Sequence, residues 1–166
     1  MRLLVASASK HGSTHEIALA IADTLRASGH EVDVRLITDE FEPDLASYDA
    51  VILGSAVYFG RWMAEARQFV ERHREALSAR PTWLFSSGPL GPEGDLMPVD
   101  PVQLVDIINA IGARGHQAFD GSLWPDQLGI GEWLTIKVIQ APTGDFRDWP
   151  AIRAWADEIN DALARG

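Results

Sequence analysis

Ser9-Lys10-His11-Gly12-Ser13-Thr14 decides how the rest of the chain is read. It follows an apolar run, Leu3-Leu4-Val5-Ala6, and precedes Ile17, Ile21 and Leu25 at helical spacing, so it is the tight turn between a strand and a helix. One glycine and several small hydroxylated residues let the backbone approach a ligand closely. The turn amides and the first amides of the helix then converge, and the partial positive charge of the helix end favours an anion such as phosphate. Ser9, Ser13 and Thr14 add hydroxyl donors, and Ser13 with Glu16 has the pattern of a capping box, which fixes the helix start. An ordinary strand-to-helix loop would read the same way from this stretch alone. The spacing matches neither the Walker loop nor the Gly-x-Gly-x-x-Gly fingerprint.

The length of 166 residues suits a single domain, residues 1–166, with a sizeable core. A formal net charge of -10 argues against nucleic acid and anionic membrane surfaces, which require clustered Lys and Arg. Cysteine is absent, which removes disulfides, thiolate nucleophiles, iron–sulfur clusters and zinc–thiolate sites together. His30, His73 and His116 lack partners at ligand spacing, so no metal site is expected. No signal peptide or membrane span is read, and a cytoplasmic location is the expectation.

Strand and helix patterns alternate along the chain. The first helix is expected over about Thr14 to Ser28, stopped by Gly29. Val32, Val34 and Leu36 alternate with charged residues as an edge strand, and Thr38 to Tyr48 reads as loop with a short turn. Ala50-Val51-Ile52-Leu53-Gly54 reads as a central strand, Ser55 to Gly60 as a loop, and Trp62 to Leu77 as one helix ended by Arg80-Pro81. Thr82-Trp83-Leu84-Phe85 is the next strand, with Ser86 to Pro92 as the loop after it. Asp100-Pro101-Val102-Gln103 opens a helix with Asp100 as cap, Gln103 reaching back, and Val105, Ile108 and Ile111 inward before Gly112. His116 to Leu123 reads as a fifth strand, and Trp149 to Ala164 as a last helix burying Ile152, Trp155, Ile159 and Leu163. Between them Trp124 to Asp148 is an extra piece, whose apolar middle, Ile130 to Ile139, fits a helix or a strand equally.

Such alternation predicts a parallel sheet covered by helices on both faces, with ligands bound at the carboxyl ends of the strands. Three loops of unusual composition leave those ends: Ser9 to Thr14, Ser55 to Gly60 and Ser86 to Gly91. The first supplies phosphate donors. The second carries Val57, Tyr58, Phe59 and Gly60, with Trp62 beyond, and its aromatics suit a flat heterocycle or packing on the sheet edge. The third, with Ser87, Gly88, Leu90 and Gly91, exposes backbone groups for the polar edge of such a ring. A phosphate joined to a flat ring with a polar edge describes FMN. No catalytic acid or base is singled out, because a flavin carries the electrons itself.

These loops resemble those of flavodoxin-like proteins over nearly the whole length. Ser9 to Thr14 is similar to their FMN phosphate loop, with His11 where Thr is common, and Gly54 to Gly60 to their second flavin loop. The resemblance implies a flavodoxin-like three-layer α/β sandwich with a five-stranded parallel sheet in the order 2-1-3-4-5. It is nearer to one branch, the bacterial menaquinone-dependent protoporphyrinogen IX dehydrogenases. The residues that carry it are Ala8 to Thr14 with Glu16-Ile17-Ala18, Gly54 to Arg61, Phe69-Val70-Glu71-Arg72-His73, Trp133 to Ile139, Gly144-Asp145, Asp148-Trp149 and Ile152. That branch implies an oxidoreductase with FMN, a small reduced ring substrate, and a quinone or redox partner protein as acceptor. Its extra loop is basic and aromatic, whereas this chain offers only Lys137 before Gly144, against Asp126 and Glu132, which weakens the case for membrane contact. A flavodoxin electron carrier without substrate turnover is the alternative, and a flavin-free relative is the other. Ala8 and Gly54 stand where a receiver-type signalling domain needs acidic residues.

Overall fold

Leu3-Leu4-Val5-Ala6 presents apolar side chains alternately to two faces, and both faces are covered: all four residues are fully buried. They lie in β1 (Arg2–Ala8), which pairs in parallel with β2 (Glu31–Leu36) on one side and β3 (Ala50–Tyr58) on the other. The structure is a computed structural model that describes residues 1–88, 101–123 and 144–166. Beyond β3 come β5 (Thr82–Gly88) and β6 (Gly115–Asp120), so the parallel strands run β2-β1-β3-β5-β6. That is the expected 2-1-3-4-5 order when the long strands alone are counted. A short β4 (Arg61–Trp62) pairs antiparallel with the end of β3, and β7 (Ser122–Leu123) pairs with β8 (Gly144–Asp145) as a separate ribbon.

Strand alternation sorts the core into two layers. Leu3, Val5, Ile52 and Phe85 face α1 (Ser13–Ala27) and α5 (Trp149–Arg165), which bury Ile17, Ile21, Leu25, Ile152, Trp155 and Ile159 against them. Leu4, Ala6, Leu53 and Leu84 face α2 (Ala64–Arg72), α3 (Arg74–Ser78) and α4 (Pro101–Ile111), which contribute Phe69, Leu77, Ile107 and Ile111. Phe85, Phe119 and Trp155 join β5, β6 and α5 through ring centroids 5.6 to 6.3 Å apart. At the expected stop of α1, Gly29 has φ 91° and the His30 amide reaches back to the Leu25 carbonyl.

Several boundaries differ from the sequence reading. Ser55 to Tyr58 belong to β3, so the second loop shrinks to Phe59-Gly60, and β5 runs on to Gly88. Ladder pairing with β5 and β4 holds Ser55 to Tyr58 extended. Trp62 lies in β4, and the single helix expected from it is two, broken at His73, whose ring packs 4.5 Å from that of Phe69. In α4 the inward row is Ile107 and Ile111, four apart, while Val105 is 52% exposed. The fifth strand stops at Asp120, one residue before Gly121, whose amide makes the last ladder bond, to the Gly88 carbonyl at 2.7 Å. The expected Asp100 cap lies outside the described residues, as does nearly all of the extra piece, residues 124–143.

Gly54 of β3 is paired with Phe85 of β5 and leaves room for its ring. A Cβ built there would stand 2.0 Å from Phe85 Cζ, against the tip of a fully buried ring. Gly54→Ala is therefore expected to lower stability by about 3 kcal/mol, the upper range for overpacking a rigid core. Urea unfolding of the two proteins side by side checks this.

Candidate functional site

At the end of β1 the chain turns through Ser9 to Gly12 and enters α1 at Ser13. Gly12 adopts φ 90°, ψ -20°, a left-handed conformation that side chains disfavour, and its amide donates to Ser9 Oγ at 3.0 Å. No side chain caps α1, so the Ser13–Glu16 capping box does not form. Its absence follows from register: Ser13 is the first helical residue rather than the cap, and Glu16 is taken by another partner. The first helical bond is Glu16 N–H to the Gly12 carbonyl, 2.9 Å, which leaves the amides before it with no intrahelical acceptor. Thr14 is fully buried, and its Oγ1 has no hydrogen-bond partner among the described residues. A buried hydroxyl in that state costs about 1–3 kcal/mol. A left-handed glycine turn, an uncapped helix and an orphaned buried hydroxyl at one point fit a phosphate monoester. Ser9, His11 and Ser13 are half-buried beside it, Lys10 is exposed, and half-buried His15 lies with Nδ1 3.3 Å from Ser7 Oγ.

The second element is a hairpin. Tyr58 pairs with Arg61, and Phe59 (φ 52°) with Gly60 (φ 72°) forms the two-residue turn whose twist matches paired strands. Phe59 is a poor residue for that conformation, which costs about 1–2 kcal/mol without glycine, and it is 72% exposed. Val57, by contrast, is core, so only its backbone faces outward ligands. The hairpin base is tied on three sides. Trp62 donates its amide to Gln103 Oε1 at 2.9 Å and its indole N–H to Ser86 Oγ at 2.7 Å, while the Met63 amide donates to Ser55 Oγ at 2.9 Å. Gln103 thus serves the hairpin instead of reaching back to its own helix. Ser86 Oγ also lies 2.7 Å from His116 Nε2. Burial pushes the His116 imidazole below its ordinary value and so favours the neutral ring, whose Nε2, in the tautomer protonated at Nδ1, is an acceptor for the Ser86 hydroxyl.

Ser87 and Gly88 end β5 as buried residues, and Leu90 and Gly91 lie outside the described residues. Because β1, β3 and β5 are neighbours, with Ala8 beside Ser55 and Ser55 beside Ser86, the Gly12 turn, the hairpin and Ser87-Gly88 lie side by side at the carboxyl end of the sheet.

One residue of this region escapes sequence reasoning. Arg147, with 8% of its side chain exposed, pairs with Asp145 through Nε at 2.8 Å and NH2 at 2.6 Å, and through NH1 with Glu16 and, at 3.5 Å, the Ser13 carbonyl. Its guanidinium lies 4.5 Å from the centre of the Trp149 ring. Hydrogen bonding to Arg147 holds the Asp145 carboxyl below its usual range. Arg147 was not singled out in the sequence, because its partner Glu16 lies 131 positions away.

A family model described as flavodoxin domain matches residues 4–149. Among curated proteins, protoporphyrinogen IX dehydrogenase [quinone] of Escherichia coli (strain K12) is 29% identical over 86 residues, which are 52% of this chain and 48% of that protein. The match thus spans about half the length of that relative. A Leishmania major protein of the same name is 25% identical over 155 residues, 86% of this chain and 66% of that one. Among solved structures, the Streptococcus pneumonia TIGR4 flavodoxin superposes with a TM-score of 0.61 at 20% identity, covering 98% of this chain and 99% of that one.

Two outcomes follow from the geometry. Thr14→Val keeps shape and removes the orphaned hydroxyl, so in the absence of ligand it should raise stability by about 1 kcal/mol while weakening binding of phosphate-bearing ligands. Thermal unfolding with and without ligand reads both. For His116, a folded pKa below the ordinary 6.5 means that the unfolded chain takes up the proton first as pH falls. The stability it supports is intact above that value and lost below it. His116→Gln keeps an acceptor for Ser86 without titrating, so between about pH 7 and about pH 5 it should lose less stability than the parent.

Proposed function

The chain belongs to the flavodoxin domain family, matched over residues 4–149, and from that membership we propose that it is an FMN-dependent oxidoreductase. In this reading it oxidises a small reduced ring substrate and delivers the electrons to a quinone-type acceptor. The observation that carries it is the uncapped start of α1, where the Gly12 turn and the orphaned Thr14 hydroxyl meet. Ser9, Lys10, His11, Gly12, Ser13 and Thr14 hold the phosphate, mainly through backbone amides, so His11 in place of a threonine costs one hydroxyl and no amide. Val57, Tyr58, Phe59 and Gly60 border the ring on one side. Ser87 and Gly88, continued by Leu90 and Gly91, border it on the other.

When bound, FMN supplies reversible electron chemistry, and the protein contributes position and surroundings. The hairpin tie through Trp62, Ser86 and Gln103 fixes where Phe59 stands, and the exposed Phe59 face is a surface on which a flat reduced substrate can lie. The Escherichia coli and Leishmania major relatives, both protoporphyrinogen IX dehydrogenases [quinone], support a quinone acceptor and a porphyrinogen-like donor. A flavodoxin electron carrier is the second reading, favoured by the net charge of -10, which suits docking to basic redox proteins. No helix among the described residues is long and apolar enough to cross a membrane.

Titrating the full chain with FMN should quench flavin fluorescence saturably, and no saturable change would overturn the cofactor assignment. Anaerobic mixing of the FMN-loaded protein with protoporphyrinogen and a soluble menaquinone analogue should then consume both catalytically. Reduction of FMN by a basic flavodoxin reductase, with no turnover of either small molecule, would move the assignment to the carrier.

A further inference from the structure

The chain returning from the extra piece brings a buried cation to the side of the phosphate turn. Asp145 grips the Arg147 guanidinium through two nitrogens, and Trp149 lies over its face, so its orientation is fixed before any ligand arrives. The remaining nitrogen reaches Glu16 and the Ser13 carbonyl, both in the first turn of α1. Glu16 poses an electrostatic problem at that place. A carboxylate in the first turn takes the favourable field of the helix end that an incoming phosphate needs, and it repels a dianion directly.

We propose that Arg147 is a positioning residue for the phosphate of FMN, holding and neutralising Glu16 so that the start of α1 stays receptive to an anion. This rests on the FMN reading above and adds a determinant of preference for the phosphorylated flavin over its nucleoside. The three charges, Arg147, Asp145 and Glu16, leave a single net negative charge. Removing Arg147 doubles it, and neutralising Glu16 abolishes it. Arg147 is itself too engaged with carboxylates to serve as a free phosphate ligand, so its effect passes through Glu16.

The test compares FMN with riboflavin, which has the same ring without phosphate, by fluorescence quenching with the full chain. Arg147→Ala should weaken FMN by about tenfold, and riboflavin hardly at all, with the FMN loss shrinking at high salt. Adding Glu16→Gln to that variant should restore most of the FMN affinity. Equal losses for both flavins, or no rescue by Glu16→Gln, would reduce Arg147 to a structural tie and overturn the proposal. Should Arg147→Ala fail to fold, Glu16→Gln alone decides: it retains Arg147 and should tighten FMN a few-fold relative to riboflavin, and an unchanged ratio overturns the proposal. Saturable FMN binding by the parent protein separates these failures from failure of the cofactor reading, since a parent that binds neither flavin removes both.

Discussion

The amino end of α1 lacks a side-chain cap, and the rest of the site is arranged around that deficit. Gly12 turns the chain in a left-handed conformation and brings no side chain of its own. The first amides of the helix, together with the Thr14 hydroxyl, are left without an acceptor from the helix itself. Alone this is unfavourable. Burial of Ile17, Ile21 and Leu25 against β1 and β3 holds the helix in place despite it, each side chain contributing about 1.5–3 kcal/mol on leaving water. On the proposed reading, stability is thus drawn from the core and given up at the end where an anion is held, a common trade at functional sites.

The hairpin shows the same trade in another form. Phe59 occupies a backbone conformation suited to Asn or Gly and leaves a large apolar ring in water. Such a local violation persists because the base of the hairpin is over-determined by Trp62, whose amide and indole nitrogens bond to two different elements. The Ser86–His116 contact extends that tie to β6, and the register of β1, β3 and β5 places hairpin and phosphate turn side by side. On the proposed reading, sheet pairing fixes the distance between the two halves of a flavin, while side-chain bonds fix the tilt of the aromatic cover.

The alternation of strands and helices and both core faces were readable because apolar periodicity is strong in Leu3-Leu4-Val5-Ala6, Ala50 to Gly54 and the α1 and α5 stripes, whereas the strand order followed from the family resemblance. Glycines placed the ends of α1 and α4, at Gly29 and Gly112, because each is in the left-handed region. Pattern failed where pairing overrides propensity: Ser55 to Tyr58 look like loop but are held extended by β5 and β4. It failed again in α4, where Val105 and Ile107 are equally apolar and only packing decides which points inward. Of the candidate site, the strand-to-helix turn at Gly12 was legible because its geometry is local. Arg147 was not, since its meaning depends on Glu16, and no periodicity links a residue of the first helix to one that precedes the last. Gln103 misled for the same reason, its local role as a cap being displaced by a distant Trp62 amide.

The contact between Gly54 and the Phe85 ring carries an evolutionary consequence. Positions 54 and 85 are paired on the neighbouring parallel strands β3 and β5 and share one volume, so neither drifts independently. Descendants of a common ancestor that carry alanine or serine at the first position should carry a smaller side chain at the second, and the pair should change together in lineages where either changes. Because this volume lies directly behind Ser55 and Ser86, on which the hairpin rests, such coupled exchanges would be a route by which one scaffold retunes its ligand surface without altering any residue on that surface.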